Sequence, residues 1–274
     1  MGTPATTSTA VTRRTSNARR AWRLAGGILT PVLILLGTAS LWACTGELTA
    51  DSETQHQTYT HAVSRVELDL DDGEITLTPG EAGQVVVERV LEWSDDKPTI
   101  EETWVGDTLR ITSRCGGSSM GIQPHCTVAY TIRVPADVTI DARTVASRIE
   151  VRDLSGSLRL LESSGDVSLT NTTGQLWVKT TSGGINASGL RAGQVEVQAT
   201  SGDVELTFAA APRQLAATTE ARNVTIALPG ADPYRVGIET SSGERDISVR
   251  QDPGAERTID VRTSNGDVQV RYAA

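Results

Sequence analysis

Four acids stand in or beside the small-residue turns of the C-terminal half: Asp166, Asp203, Asp246 and Asp267. Carboxylates in a repeating column are what a calcium-binding β-roll uses, but there the acids come in tandem Gly-Gly-x-Gly-x-Asp nonapeptides. In this chain one acid appears per coil, and Gly184 and Asn223 interrupt the column. Two carboxylates one rung apart repel by about 1 kcal/mol even at the dielectric of water. The interruptions read as relief of that repulsion and the acids as turn caps, so no metal is expected. Cys115 and Cys126 flank a Gly/Ser-rich loop, with His125 beside the second. Adjacent residues rarely ligate one ion and zinc wants four ligands, so the two cysteines are expected to pair as a disulfide in an oxidising compartment. The three histidines (His56, His61, His125) lie outside the repeats, and no catalytic triad order, phosphate-binding glycine loop or zinc signature is present. β-Helical sugar-cleaving enzymes need paired carboxylates in a cleft and aromatic platforms; this chain has one Phe. Neither catalysis nor a cofactor is expected. Trp177 alternates with Leu176 and Val178 and so points outward, between Arg159 and Glu196 of adjacent rungs. It is either a cross-strand filler with a cation–π neighbour or a contact for a partner or glycan.

These residues ride on a repeat. The turns Ser163-Ser164-Gly165-Asp166-Val167, Thr181-Ser182-Gly183-Gly184-Ile185, Thr200-Ser201-Gly202-Asp203-Val204 and Ser264-Asn265-Gly266-Asp267-Val268 share one pattern, with fainter copies at Glu220–Val224 and Ser241–Gly243. The residue after each turn forms a ladder, Ile149, Val167, Ile185, Val204, Val224, Ile247 and Val268, spaced 18, 18, 19, 20, 23 and 21 residues apart. A second ladder (Ile140, Leu158, Leu176, Val195, Leu215, Val236, Ile259) runs nine residues ahead; Val236 to Ile247 is eleven, with Glu244-Arg245 read as an insertion. Periods near 20 mark stacked one-dimensional architectures. Each repeat is too short for a helix plus a strand, and its runs alternate as strands do. The expected fold is all-β, a single-stranded β-solenoid over 138–274 of about seven rungs and about 34 Å at the ~4.8 Å strand spacing. A sandwich would not keep the apolar phase through changes in repeat length.

The first fifty residues set the compartment. Residues 1–23 hold five arginines and no acid, and Leu24 to Ala43 is an uncharged apolar run. Twenty residues span a bilayer, and flanking arginines stay cytoplasmic. An uncleaved anchor, a lipoprotein acylated at Cys44 within Leu41-Trp42-Ala43-Cys44, and a cleaved signal all place the bulk of the chain outside the cytoplasmic membrane. Removing those five arginines leaves 20 basic and 34 acidic residues (20 − 34 = −14), which argues against nucleic acid as a partner. Residues 45–61 are polar without apolar periodicity and read as a linker; 62–137 reads as longer strands that cap the regular repeats of 138–274.

Val66-Glu67-Leu68-Asp69-Leu70-Asp71-Asp72-Gly73-Glu74-Ile75, the strand ending Arg133-Val134-Pro135 and the serial Ser-Gly-Asp-Val turns resemble the bacterial DUF4097 "putative adhesin" family, most closely its actinobacterial type with one N-terminal membrane helix. The resemblance covers about 60–274. It implies a β-helical extracytoplasmic domain, an adhesin role by analogy, and for some relatives a part in envelope stress; it brings no catalytic residues. The expected protein is a single-pass membrane module, anchored through residues 24–43, that binds a protein, a cell-wall polymer or itself through its solenoid faces. The alternative is a membrane-tethered sensory or regulatory subunit whose head, residues 1–23, meets a signalling partner.

Overall fold

The computed structural model describes residues 50–116 and 125–273, which form strands, turns and bends with no helix. The membrane span expected at 24–43 and the lipidation site expected at Cys44 lie outside the described residues. Among the described residues no helix is long and apolar enough to cross a membrane.

The described chain begins with β1 (Asp51–Tyr59), the long β2 (Arg65–Pro79), β3 (Val85–Trp93), β4 (Thr99–Val105), β5 (Thr108–Arg114), β6 (Cys126–Val134) and the long β7 (Thr139–Arg152). Short strands follow: β8 (Leu158–Glu162), β9 (Val167–Thr170), β10 (Leu176–Thr180), β11 (Ile185–Leu190), β12 (Gln194–Ala199) and β13 (Val204–Phe208). The series ends with β14 (Gln214–Thr219), β15 (Val224–Leu228), β16 (Arg235–Ser242), β17 (Arg245–Ser248), β18 (Thr258–Asn265) and β19 (Val268–Tyr272).

They stack as two parallel columns. One runs β5, β2, β7, β8, β10, β12, β14, β18, β16. The other runs β6, β2, β7, β9, β11, β13, β15, β19, β17. The strands β2 and β7 are long enough to pass through both. Alternation along each strand sends every second side chain inward. Ile149, Val167, Ile185, Val204, Val224 and Val268 are each no more than 1% exposed, and burying such a side chain stabilises by about 1.5–3 kcal/mol. The inward residues of the connecting turns, Leu154, Thr172 and Ala192, are buried as well.

Two expectations about the ladder need correction. Val224 pairs with Val268, and Val268 pairs on its other side with Arg245, so the last two rungs are stacked in reverse of their sequence order. Ile247 is therefore no rung between Val224 and Val268: it lies opposite Val270 at the end of the stack and is only part-buried. Nor is Glu244-Arg245 an insertion, because Ser242 pairs with Asn265 and Arg245 with Val268 at one constant offset. Among the described residues nothing stacks on the far side of the outermost rung, so Arg245 can occupy the place where inner rungs need Val. The fainter turn at Glu220–Val224 leaves the stack regular: the strands on both sides of it keep one register with β18 and β19.

At the opposite pole the chain plays the same trick. The first coil, β2, is covered by β5 and β6, which come later in sequence. Beyond them β4 pairs antiparallel with β5, β3 with β6, and β1 with β3. Residues 51–59 are thus not linker but a strand, in register with β3 from Asp51–Trp93 to Tyr59–Val85. Its side chains are mostly exposed and mostly polar, so no apolar periodicity betrays it; backbone pairing holds it.

The turn glycines answer a packing need. Most of them have ordinary φ values; they are needed because a neighbouring rung's carbonyl occupies the Cβ position. A Cβ on Gly202 would lie 1.9 Å from the Gly183 oxygen. Only Gly73 and Gly243 in this column have the positive φ, +141° and +139°, that favours glycine.

Candidate functional site

Side chains at equivalent positions of parallel, in-register strands form straight columns along the coil, and one such pair of columns makes a lateral groove of about 500 Å³. Gln175 at the edge of β10 donates through Nε2 to Gln194 Oε1 at 2.7 Å, and Gln194 donates to Gln214 Oε1 at 3.3 Å. Beside this amide ladder runs the outward column Asp141, Arg159, Trp177, Glu196. The Arg159 guanidinium carbon sits 4.0 Å from the Trp177 ring centroid and its Nε lies 3.9 Å from Asp141. One face of the indole is therefore occupied by Arg159, which suits the filler role; the ring still lines the groove, between Arg159 and Glu196. The groove offers donors and acceptors at one-strand intervals, a pattern for holding an extended, hydrogen-bonding chain rather than for moving protons.

The turn acids form a second ladder. Asp166 Oδ1 accepts the Gly184 N–H at 2.9 Å, Asp203 Oδ1 the Asn223 N–H at 3.0 Å, Asn223 Oδ1 the Asp267 N–H at 2.9 Å, and Asp267 Oδ1 the Glu244 N–H at 2.8 Å. Each side chain caps the turn of the next rung, not its own. Asp246 is not part of this column: it lies within β17, opposite Gln269, where hydrogen bonds from Ser248 and then Gln269 hold its carboxyl below the usual range. Among the described residues no three His, Cys, Asp or Glu side chains converge as metal ligands would.

Sequence reasoning missed Glu162. It ends β8 with its side chain inward, between Thr144 and Thr180 of the adjacent strands, and is 1% exposed. Its Oε1 accepts the backbone N–H groups of Ser164 at 2.9 Å and Ser147 at 3.3 Å. Among the described residues its Oε2 has no hydrogen-bond partner, nor do the hydroxyls of Thr144, Ser147 and Thr180. Burial raises the Glu162 carboxyl above the ordinary range, opposed by those backbone donors and assisted by the charge of Asp72. The signal in sequence was a column of small residues (Thr144, Thr180, Ala199, Thr219, Thr263) in which Glu162 is the one charged member.

At the β1 pole Arg89 and Glu102 form an ion pair, and Tyr59 donates to the same carboxylate. The Tyr59 and His61 rings meet Trp104 edge-on, at centroid distances of 5.5 and 4.7 Å. Burial and the Glu102 carboxylate raise the Tyr59 hydroxyl well above its ordinary range. Cys115 and Cys126 form a disulfide with Cα atoms 5.9 Å apart, tying the end of β5 to the start of β6. His125 does not join the sulfurs in a metal site; its Nε2 lies 3.5 Å from Glu92.

No curated protein matches this chain. Among the crystal structures similar at low identity are the following three. A "putative adhesin" from Bacteroides fragilis is 13% identical, with a TM-score of 0.44, covering 79% of this chain and 96% of that one. A "putative adhesin" from Parabacteroides distasonis is 9% identical, with a TM-score of 0.42 and coverages of 80% and 97%. A "putative cell adhesion protein" from Clostridium sporogenes is 12% identical, with a TM-score of 0.37 and coverages of 81% and 100%. The family model described as Toastrack DUF4097 matches residues 63–273, nearly all of the two-column coil, and the chain belongs to that family.

Proposed function

We propose that this protein is a non-catalytic, membrane-anchored surface module that binds an envelope polymer or protein along the lateral face of its coil. The observation that carries this reading is the groove: an amide ladder from Gln175 to Gln214 beside Asp141, Arg159, Trp177 and Glu196, on strands hydrogen-bonded on both sides. A rigid face with polar groups at strand spacing holds a repeating ligand with little ordering cost. The net charge of −14 outside the arginine-rich start (20 − 34) points to a neutral or cationic ligand, not an anionic one. Anchoring rests on the apolar run Leu24–Ala43 after five arginines.

The test is sedimentation of the full-length protein with purified cell-wall sacculi. Wild type should co-sediment, and Gln194→Ala and Trp177→Ala should each weaken binding. Binding that survives both substitutions unchanged would remove the groove from the reading. The anchor is tested separately: the chain should fractionate with membranes, and loss of palmitate labelling in Cys44→Ala would select the lipoprotein route.

A further inference from the structure

The two poles of the coil are finished differently. At the β1 pole the outermost parallel level, β5 and β6, is covered by antiparallel strands, and Tyr59, Trp104 and the Arg89–Glu102 pair close the end. At the other pole β16 pairs with β18 and, among the described residues, with no further strand. Its inward residues Val236 and Ile238 are part-buried, whereas Ile259 and Val261, one level in, are 0% and 1% exposed. Ile247 of β17 adds to the same uncovered apolar end. Arg235 donates its N–H to Arg257 O at 2.9 Å. The odd-numbered residues therefore face β18, and Val236, Ile238 and Thr240 direct their N–H and C=O groups outward. Arg245 Nη2 covers the Thr240 carbonyl at 3.1 Å, leaving the groups of Val236 and Ile238 open. An edge of this kind is usually blocked by Lys, Pro or a bulge, and Arg235-Val236-Gly237-Ile238-Glu239-Thr240 has neither Lys nor Pro.

We infer that this edge is an interface between two copies of the chain, formed by antiparallel pairing of β16 with β16 of a second copy about a two-fold axis at Gly237. This register satisfies three independent requirements. Val236 falls opposite the second copy's Ile238, and both are residues whose backbone groups point outward, so they exchange hydrogen bonds as a narrow pair must. The apolar side chains of Val236 and Ile238, on the inward side, are covered by their own counterparts. Arg235 falls opposite the second copy's Glu239, and symmetry repeats the pair, so the edge is self-complementary in charge. Shifting the register by one residue would pair outward-facing groups with inward-facing ones and lose the bonds. Glu239 now lies 3.2 Å from Arg262, both side chains being mostly exposed, which leaves it free to accept from a second arginine. Gly237 has no side chain at the axis, where the backbones approach most closely.

The inference does not depend on polymer binding, and failure of the sacculus assay leaves it standing. It is tested on the full-length protein in detergent by sedimentation velocity over a concentration series, with a Cys44→Ala background for the cysteine variants. Wild type should show a reversible monomer–dimer equilibrium. Arg235→Glu and Glu239→Arg should each weaken the dimer by about tenfold or more, because each places like charges opposite one another. The double variant Arg235→Glu/Glu239→Arg should restore it, since the reversed pairs again match. Gly237→Cys should give a disulfide-linked dimer on mild oxidation, and Lys179→Cys, on the lateral face, should not. A Cβ at position 237 meets only the Asp260 carboxylate oxygen, at 2.9 Å, a side-chain end that can move. Unchanged melting temperatures establish that the variants fold. A monomer at every concentration, a dimer indifferent to Arg235→Glu, or an open series of larger species that would mean head-to-tail stacking each overturns the inference.

Discussion

Asp203 holds Asn223 across the gap between two rungs: its Oδ1 accepts the Asn223 backbone N–H at 3.0 Å, and Asn223 in turn accepts the N–H of Asp267 at 2.9 Å. A turn in this coil is therefore capped by its neighbour, and the cap exists only once the neighbour is in place. That makes each such bond a report on stacking, with a net worth of about 0.5–1.5 kcal/mol apiece.

The ladder has one gap, and filling it should stabilise the protein. Gly184 offers no acceptor to Asp203, and a Cβ built there would meet nothing closer than the Asp203 oxygen at 3.5 Å. Gly184→Asn is expected to raise stability by about 0.5–1.5 kcal/mol through the new bond and a less flexible unfolded chain. The contrasting variant is Gly202→Ala, whose Cβ would sit 1.9 Å from the Gly183 oxygen. Urea unfolding should show the first more stable than wild type and the second substantially less.

Stability should fall as pH rises, through Glu162. Its carboxyl is raised in the folded state by burial, with Asp72 adding to the shift. A raised folded pKa means that the native state holds the proton more tightly than the unfolded chain. The contribution is fully present below the unfolded carboxylate value of about 4.3 and is lost as pH climbs through the raised folded value. Glu162→Gln keeps an oxygen for the Ser147 and Ser164 N–H groups and has no charge to bury. It should be more stable than wild type at pH 7 and should flatten this limb of the pH–stability curve measured by thermal melting.

The inward ladder should behave as one core. Ile185, 1% exposed, contacts the strands bearing Val167 and Val204 on either side. Ile185→Asp puts an unpaired charge among them and should abolish cooperative folding. Lys179→Asp, on an exposed position of the adjoining strand, should change stability by less than about 0.5 kcal/mol. Circular dichroism melts of the two variants check both statements.

The disulfide should matter to the β5–β6 level and little beyond it. Closing a loop with a sequence separation of 11 contributes roughly 3 kcal/mol in the chain-entropy account. Non-reducing peptide mapping should recover Cys115 linked to Cys126, and Cys126→Ser should melt earlier by an amount that wild type reproduces when reduced.

What was legible in the sequence is what repeats within one rung. The alternation in Val195-Glu196-Val197, the Ser-Gly-Asp turn and the ~20-residue period are local, and a local pattern states that a strand exists and which side faces in. The ladder from Ile149 to Val224 and the outward place of Trp177 follow from that alone. Three things were settled only by tertiary packing. The rung containing Val268 slid between those of Val224 and Arg245, because Ile259, Val261, Val268 and Val270 are apolar at every inward place, whereas Arg245 stands at the inward place opposite Val268. The better-filled rung takes the position buried on both sides, whatever its order in the chain. Strand β1 left no trace, since a strand held by backbone hydrogen bonds with exposed side chains has no apolar period to read. Glu162 looked like any strand-ending acid until the columns placed it between Thr144 and Thr180. Sequence spacing describes neighbours along the chain, while burial and charge are decided by neighbours across it, up to 74 positions away, as Thr139 is from Arg65.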